Sequence, residues 1–388
     1  MRVALMSWES LHSIQVGGLA AHVSELARAM QSRGHDVHVF TRLDAGQRRY
    51  QCIEGVHYHR CPFDPHVGFS TYVDRMCDSM LARLAEAEAF YDQPFDIVHG
   101  HDWMCAKAVI RAKNELGRRT VFTLHSTDFG RCGNTLCNGR SQQIRSIEWE
   151  GTYVADRVIC VSCALLDEVR WLYSVPRDKA SVVYNGIDLN RFDGAINPAP
   201  ARAGLRIDEP DPVVLFVGRM AWQKGPDLLV ESMPGLIHYY PRTKFVFAGD
   251  GHMRPQLEDR VSAMGLGDTA RFVGYRSGSD LVGMYKAADV VCVPSRNEPF
   301  GIVILEAWGA AKPVVVTRNG GPAEFVRHGE TGWVVSDNRD SVGWGLGTAL
   351  ADLTAAREMG SRGRGEAEKR FSWNTIAEQT ESVYESAH

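Results

Sequence analysis

Val213-Val214-Leu215-Phe216-Val217-Gly218-Arg219-Met220-Ala221-Trp222-Gln223-Lys224-Gly225 sets five consecutive apolar residues against a glycine and two cations. A run so short and so evenly apolar reads as a strand buried on both faces, as in parallel sheets covered by helices. Downstream, residues 244–248, 270–273, 289–293, 313–317 and 333–335 repeat the pattern, with helical spacing between them. Upstream, residues 2–8, 36–42, 96–99, 120–125, 157–162 and 181–184 make an earlier series of the same kind. Alternating strands and helices on this scale predict an α/β chain with two doubly wound, Rossmann-like parallel-sheet domains. The first is expected over 1–194 and the second over 213–371. Residues 195–212 (AINPAPARAGLRIDEPDP) lose periodicity and read as a linker. Trp373, Ile376 and Val383 stand at helical spacing in 372–388, a helix that packs on the second domain or back on the first. Ligands of open α/β sheets bind beyond the carboxyl ends of the strands, so a working site is expected in a cleft between facing domains.

Composition narrows the classes. With 388 residues, 44% hydrophobic and 23% charged, the chain is globular and long enough for two to three domains. Lys+Arg 43 against Asp+Glu 47, net −4, argues against a dedicated nucleic-acid binder, whose affinity comes from neutralised phosphates. No apolar run reaches the roughly 20 residues of a membrane span, and Met1-Arg2 leads straight into a short strand pattern rather than a signal peptide. Nine cysteines, an odd number, fit reduced thiols, and a cytoplasmic location is expected.

Polar chemistry gathers after the strands. Gly17-Gly18 opens a helix whose apolar Leu19, Val23, Leu26, Ala27 and Met30 share a face; paired glycines there let backbone N–H groups approach a phosphate. The dinucleotide fingerprint G-x-G-x-x-G is absent. His101-Asp102-Trp103 and His125-Ser126-Thr127-Asp128 follow two neighbouring strands, and the Trp103 ring either stacks on a sugar or fills the core. Arg219 and Lys224 occupy one strand-to-helix loop. If the leaving group is a diphosphate, such cations neutralise it without a metal, arginine doing so bidentately. The chain has no D-x-D triplet, so neither a metal nor a cofactor is expected. In Glu298-Pro299-Phe300-Gly301-Ile302-Val303-Ile304-Leu305-Glu306 two carboxylates bracket a glycine and a helix start, placed to accept hydrogen bonds from vicinal hydroxyls. Gly320-Gly321 makes another close-approach turn. Cys132, Cys137, Cys160 and Cys163 have the spacing C-x4-C…C-x2-C, a zinc pattern, although Cys160 in an apolar strand reads more simply as a buried thiol.

Taken in order, Asn185-Gly186-Ile187-Asp188, Val217-Gly218-Arg219…Lys224-Gly225, Ala248-Gly249-Asp250-Gly251, Pro294-Ser295…Glu298-Pro299-Phe300-Gly301…Glu306 and Gly320-Gly321-Pro322-Ala323-Glu324 resemble the retaining glycosyltransferases of family 4, with the GT-B fold. Val16-Gly17-Gly18-Leu19, His101-Asp102-Trp103 and His125-Ser126-Thr127 look most like the glycogen and starch synthase branch, with Gln15 and Met104 standing where that branch often has a lysine and a second histidine. The resemblance implies that Arg219, Lys224 and the Gly18 amide bind the diphosphate of a nucleotide sugar, and that Glu306 holds the ribose. It also implies that Glu298 with the Phe300-Gly301 backbone grips the donor sugar and that Tyr275 lies beside the nucleobase. By the same likeness His125 approaches the transferring sugar, while Asp102 and Trp103 meet a saccharide acceptor.

The expected activity is therefore metal-independent transfer of a hexose, glucose first, to a saccharide hydroxyl. A lipid or small-molecule acceptor, a sugar-nucleotide epimerase of the same architecture and a non-catalytic sugar-binding subunit are the competing readings. For a lipid the relevant feature is the basic stretch Lys107, Arg111, Lys113, Arg118 and Arg119, which reads more simply as a solvated helix face.

Overall fold

The structure, a computed structural model, describes residues 1–194 and 197–387. It divides into two compact units, Met1–Gly186 with Trp373–His388, and Ile187–Ser372.

In the first unit the strands are β1 (Arg2–Met6), β2 (Asp36–Arg42), β3 (Tyr50–Ile53), β4 (Val56–Cys61), β5 (Ile97–His101), β6 (Arg119–Leu124), β7 (Arg157–Cys160) and β8 (Ala180–Val182). They lie in the order β3-β4-β2-β1-β5-β6-β7-β8, parallel except where β3 and β4 form a hairpin. Side chains of β1 alternate between two cores, as the pleat requires. Val3 and Leu5 pack with Leu19, Val23 and Leu26 of α1 (Gly18–Ser32), and with Ile376 and Tyr384 of the helix Trp373–Ser386. Ala4 and Met6 pack instead with Met76, Met80 and Leu84 of α2 (Phe69–Tyr91) and with Ala108 and Ala112 of α3 (Trp103–Leu116). Each such Leu, Val or Met contributes about 1.5–3 kcal/mol by leaving water.

The second unit holds β9 (Val213–Val217), β10 (Lys244–Ala248), β11 (Ala270–Gly274), β12 (Val290–Val293), β13 (Val314–Thr317) and β14 (Trp333–Val335), all parallel, in the order β11-β10-β9-β12-β13-β14. Val214 and Phe216 join a core with Leu229 and Met233 of the helix Pro226–Tyr239, while Leu215, fully buried, faces the opposite side. In both sheets the chain winds outward in two directions from a central pair, β1/β5 and β9/β12. These pairs are the topological switch points, where a doubly wound sheet opens a crevice at its carboxyl edge.

Two expectations need correction. The first unit ends at Gly186, not at residue 194, because Phe192 seats its ring against Gly309, where even a Cβ would lie 2.7 Å away, and so binds 187–194 to the second unit. Nor is 195–212 a bare linker, although Ala195 and Ile196 lie outside the described residues. Within it a short helix, Ala199–Gly204, carries Arg202, whose guanidinium donates to the carbonyls of Ala287 (2.9 Å), Asp208 (2.7 Å) and Glu209 (3.0 Å). Proline and charge hid a segment held by arginine-to-carbonyl bonds, which leave no hydrophobic period. The helix Trp373–Ser386 belongs to the first unit: Trp373 covers Gly186, and the Tyr384 hydroxyl lies 2.7 Å from His99 Nδ1.

Candidate functional site

In the second unit the loops after β9 and β12 carry the groups singled out from sequence, and these strands are neighbours at the switch point. Lys224 Nζ donates to both oxygens of Glu298, at 2.9 and 2.7 Å, and Ser295 Oγ donates to the same carboxylate at 2.9 Å. Glu298 is only 6% exposed, and Lys224 is the cation paired with its buried side chain. Arg219, exposed, donates from Nη2 to Gln223 Oε1 at 3.3 Å. Gln223 in turn accepts the Arg296 N–H on its carbonyl at 2.8 Å, which ties the β9 loop to the β12 loop.

Glycines let these loops touch. A Cβ on Gly225 would lie 2.1 Å from the Pro294 carbonyl, and one on Gly320 (φ +91°) 2.2 Å from the Glu298 carbonyl. Gly321 donates its N–H to that same carbonyl at 2.9 Å. The Gly320-Gly321 turn after β13 is thus a buttress under Glu298. We expect Gly320→Ala to cost about 1–3 kcal/mol, through left-handed backbone strain and overpacking. Urea unfolding of the two proteins measures it, and an unchanged midpoint would remove the buttress.

Gly301 (φ +98°) caps the helix Ile302–Gly309, and Phe300 is buried against Phe325. Five residues on from Gly301, Glu306 accepts from the Tyr285 hydroxyl at 2.7 Å. Burial raises its pKa above the ordinary carboxylate value, a push only partly offset by that hydrogen bond and by Arg191. Tyr285 was not singled out from sequence, where it looks like one more core aromatic. Tyr275, after β11, is 59% exposed.

In the first unit the polar ends of β1, β5 and β6 meet. Glu9, also missed from sequence, is buried and accepts the N–H groups of Val16 (2.6 Å) and Gly17 (2.8 Å), fixing the turn into α1. Its pKa is raised, burial outweighing those hydrogen bonds. Asp102 sits at φ +58°, and its Oδ1 accepts the His125 N–H at 2.8 Å. The carboxylate therefore positions the His125 loop; burial raises its pKa against the pull of Arg131. The Trp103 ring packs 5.4 Å from that of Phe69, a core-side role. His125 Nε2 lies 3.2 Å from His101 Nδ1, with the His22 ring 4.5 Å from that of His125. His99, His101 and His22 complete this cluster, and burial pushes His125 down to about 3. His101 stood out in the sequence, but His99 and His22 did not, because only β-strand alternation brings 99 to the face of 101 and only the packing of α1 supplies 22.

None of the nine cysteines is joined in a disulfide; Cys160 is buried in β7 and Cys163 exposed beyond it. Among the described residues the sets of three ligand atoms within 4.8 Å of one another are His22/His101/His125 and Asp36/His38/His57; the cysteine pattern forms none. The basic stretch is largely paired: Lys107 with Asp74, Arg111 with Asp78 and Glu115, Lys113 with Asp156 and Arg118 with Glu88. No helix among the described residues is long and apolar enough to cross a membrane.

Two doubly wound α/β units, the second with Arg219, Lys224 and Glu298 at its switch point and the first with Glu9, Asp102 and the histidine cluster, have the arrangement of the GT-B class of sugar transferases. Residues 16–191 match the model of Glycosyltransferase Family 4, and 199–366 that of Glycosyl transferases group 1. An uncharacterized glycosyltransferase of Methanocaldococcus jannaschii is 35% identical across 100% of this chain and 98% of its own length. The glycogen synthase of Mycobacterium tuberculosis is 30% identical, covering 100% and 95%. A sucrose-phosphate synthase structure from Thermosynechococcus elongatus, 24% identical, superposes with a TM-score of 0.83 over 99% of this chain and 98% of that one. The chain belongs to the family 4 glycosyltransferases, and its fold is GT-B.

Proposed function

We propose that the protein transfers a hexose, glucose first, from a nucleoside diphosphate sugar to a saccharide hydroxyl, with retained configuration and without a metal ion, in the cytoplasm. The observation that carries this proposal is the joining of the β9 and β12 loops, through which Arg219, Lys224 and Glu298 come to one switch point. As the bond from the anomeric carbon to phosphate breaks, negative charge grows on the diphosphate. Arg219, Lys224 and the Gly18 amide at the start of α1 are assigned to that charge. Glu306 takes the ribose hydroxyls, Tyr275 the base, and Glu298 with the Phe300-Gly301 backbone the sugar. On the acceptor side His125 faces the transferring sugar, with Asp102 holding its loop. The new bond forms from the acceptor oxygen to the anomeric carbon, and the acceptor proton passes to the departing phosphate oxygen, so no separate base is needed.

A saccharide acceptor is supported by the full-length likeness to a glycogen synthase. Four of the five cations in the 107–119 stretch are already ion-paired, which weakens the case for an anionic lipid surface. Incubation with a panel of nucleotide sugars and glucan acceptors tests the proposal. Nucleoside diphosphate should appear in proportion to acceptor consumed, with an α-linked product from an α-linked donor. Diphosphate released with no acceptor consumed, or donor bound with no transfer to any acceptor, would overturn it.

A further inference from the structure

Away from these loops, at the edge of the first sheet, β2 and β4 bring together a second set of ligand atoms. Asp36 and His38 are two apart on one face of β2, and His57 is the register partner of His38 on β4. His38 Nε2 lies 3.1 Å and His57 Nε2 3.7 Å from the same oxygen, Asp36 Oδ1, and the three atoms fall within 4.8 Å of one another. Two nitrogens and an oxygen bound to one tetrahedral zinc stand about 3.4 Å apart, from bond lengths of about 2.0–2.2 Å. The two separations to Asp36 bracket that value. The His38 and His57 rings stack with centroids 4.5 Å apart and 18° from parallel, so the half-buried His57 has to turn for both Nε2 lone pairs to meet one ion.

We propose that Asp36, His38 and His57 form a binding site for a divalent transition metal, zinc above all, with the fourth position open to water. Both imidazoles have the outer nitrogen held by a partner, as metal-bound histidines usually do. His57 Nδ1 is held by the Tyr50 hydroxyl at 2.7 Å, and His38 Nδ1 by His59 Nε2 at 2.9 Å. Arg2 Nε engages the other Asp36 oxygen at 3.1 Å and leaves Oδ1 as a single ligand. Each imidazole thus has its far nitrogen held by a partner on the neighbouring strand, and the far Asp36 oxygen is faced by an arginine in an ion pair. Zinc takes the His38 Nε2 lone pair in the tautomer whose Nδ1–H donates to His59, so both rings remain neutral. The carboxylate is 47% exposed and the His57 side chain 23%, which gives the ion a path from solvent. The other trio, His22/His101/His125, lies at the polar ends of β1, β5 and β6 described above, with His101 and His125 bonded to each other. The ion at Asp36/His38/His57 would pin β4 and its hairpin to β2.

Chelator-treated full-length protein titrated with zinc by calorimetry, alongside cobalt absorption spectra, tests this. We expect one equivalent bound, four-coordinate cobalt bands and a higher unfolding midpoint with zinc. His57→Ala and Asp36→Asn, both at partly exposed positions, should weaken binding by about 100-fold or more, and Tyr50→Phe by about 10-fold. His125→Ala should leave the affinity unchanged. Zinc binding that survives His57→Ala at full strength, disappears with His125→Ala, or is missing from the unsubstituted protein overturns the site.

Discussion

Arg219→Ala should lower turnover by about 100- to 1,000-fold, the usual loss when one preorganised donor to a developing anion is removed. It should leave the unfolding midpoint unchanged, because Arg219 is exposed and its recorded side-chain bond is a single 3.3 Å contact with Gln223. Lys224→Ala should behave differently. Lys224 neutralises a carboxylate that is 6% exposed, so its removal strands a buried charge and lowers both turnover and stability, the latter by about 3–5 kcal/mol. Glu298→Gln in the Lys224→Ala background should recover most of the stability and none of the turnover. Steady-state kinetics with urea unfolding on the four proteins separates the two effects. Arg219→Ala within a few fold of the parent enzyme would dismiss its assignment to the diphosphate.

Acid should unfold the first unit early. Burial pushes His22, His99 and His101 well below the ordinary histidine value, and His125 to about 3. In the unfolded chain these rings take up protons near pH 6.5. Between the two values the unfolded state binds more protons than the native one, so stability falls as pH drops below about 6.5 and is fully present above it. One ring held neutral is worth about 1.4 kcal/mol per pH unit, and four act together, against a total stability of about 5–15 kcal/mol. Thermal unfolding at pH 7.5 and pH 5.5 should show a large drop in midpoint for the transition of the first unit. Equal midpoints would mean that the four rings are protonated in the folded protein.

The central strands of both sheets were readable in the sequence because each is a continuous apolar run, such as Val213–Val217, which a two-sided burial demands. β3 and β4 were not. Tyr50-Gln51-Cys52-Ile53 and Val56-His57-Tyr58-His59-Arg60-Cys61 carry too many polar side chains to look like strands, and that polarity is met by cross-strand pairing with one another and with His38 and by Arg60 donating to the carbonyls of His12 and Arg48. The same holds at the candidate site. Arg219, Lys224, Glu298 and Glu306 stood out by type and by position after a strand. Glu9 and Tyr285 did not, because each acts on a residue distant in sequence: Glu9 on the Val16-Gly17 amides, Tyr285 on Glu306. Periodicity also erred at the boundary between the units, since Phe192 and Arg202 dock through one ring and a few carbonyl bonds.

The helix Trp373–Ser386 lends Ile376, Ala377 and Tyr384 to the core of the first unit, yet it is translated after the whole of the second. Synthesis therefore cannot finish the units in order. The sheet that emerges first waits, with α1 uncovered, until the ribosome has made this helix, and the second unit is free to fold in the interval. A stop codon shortly before Trp373 would spare the second unit and leave the first with an unsealed apolar face, a ready substrate for chaperones and proteases.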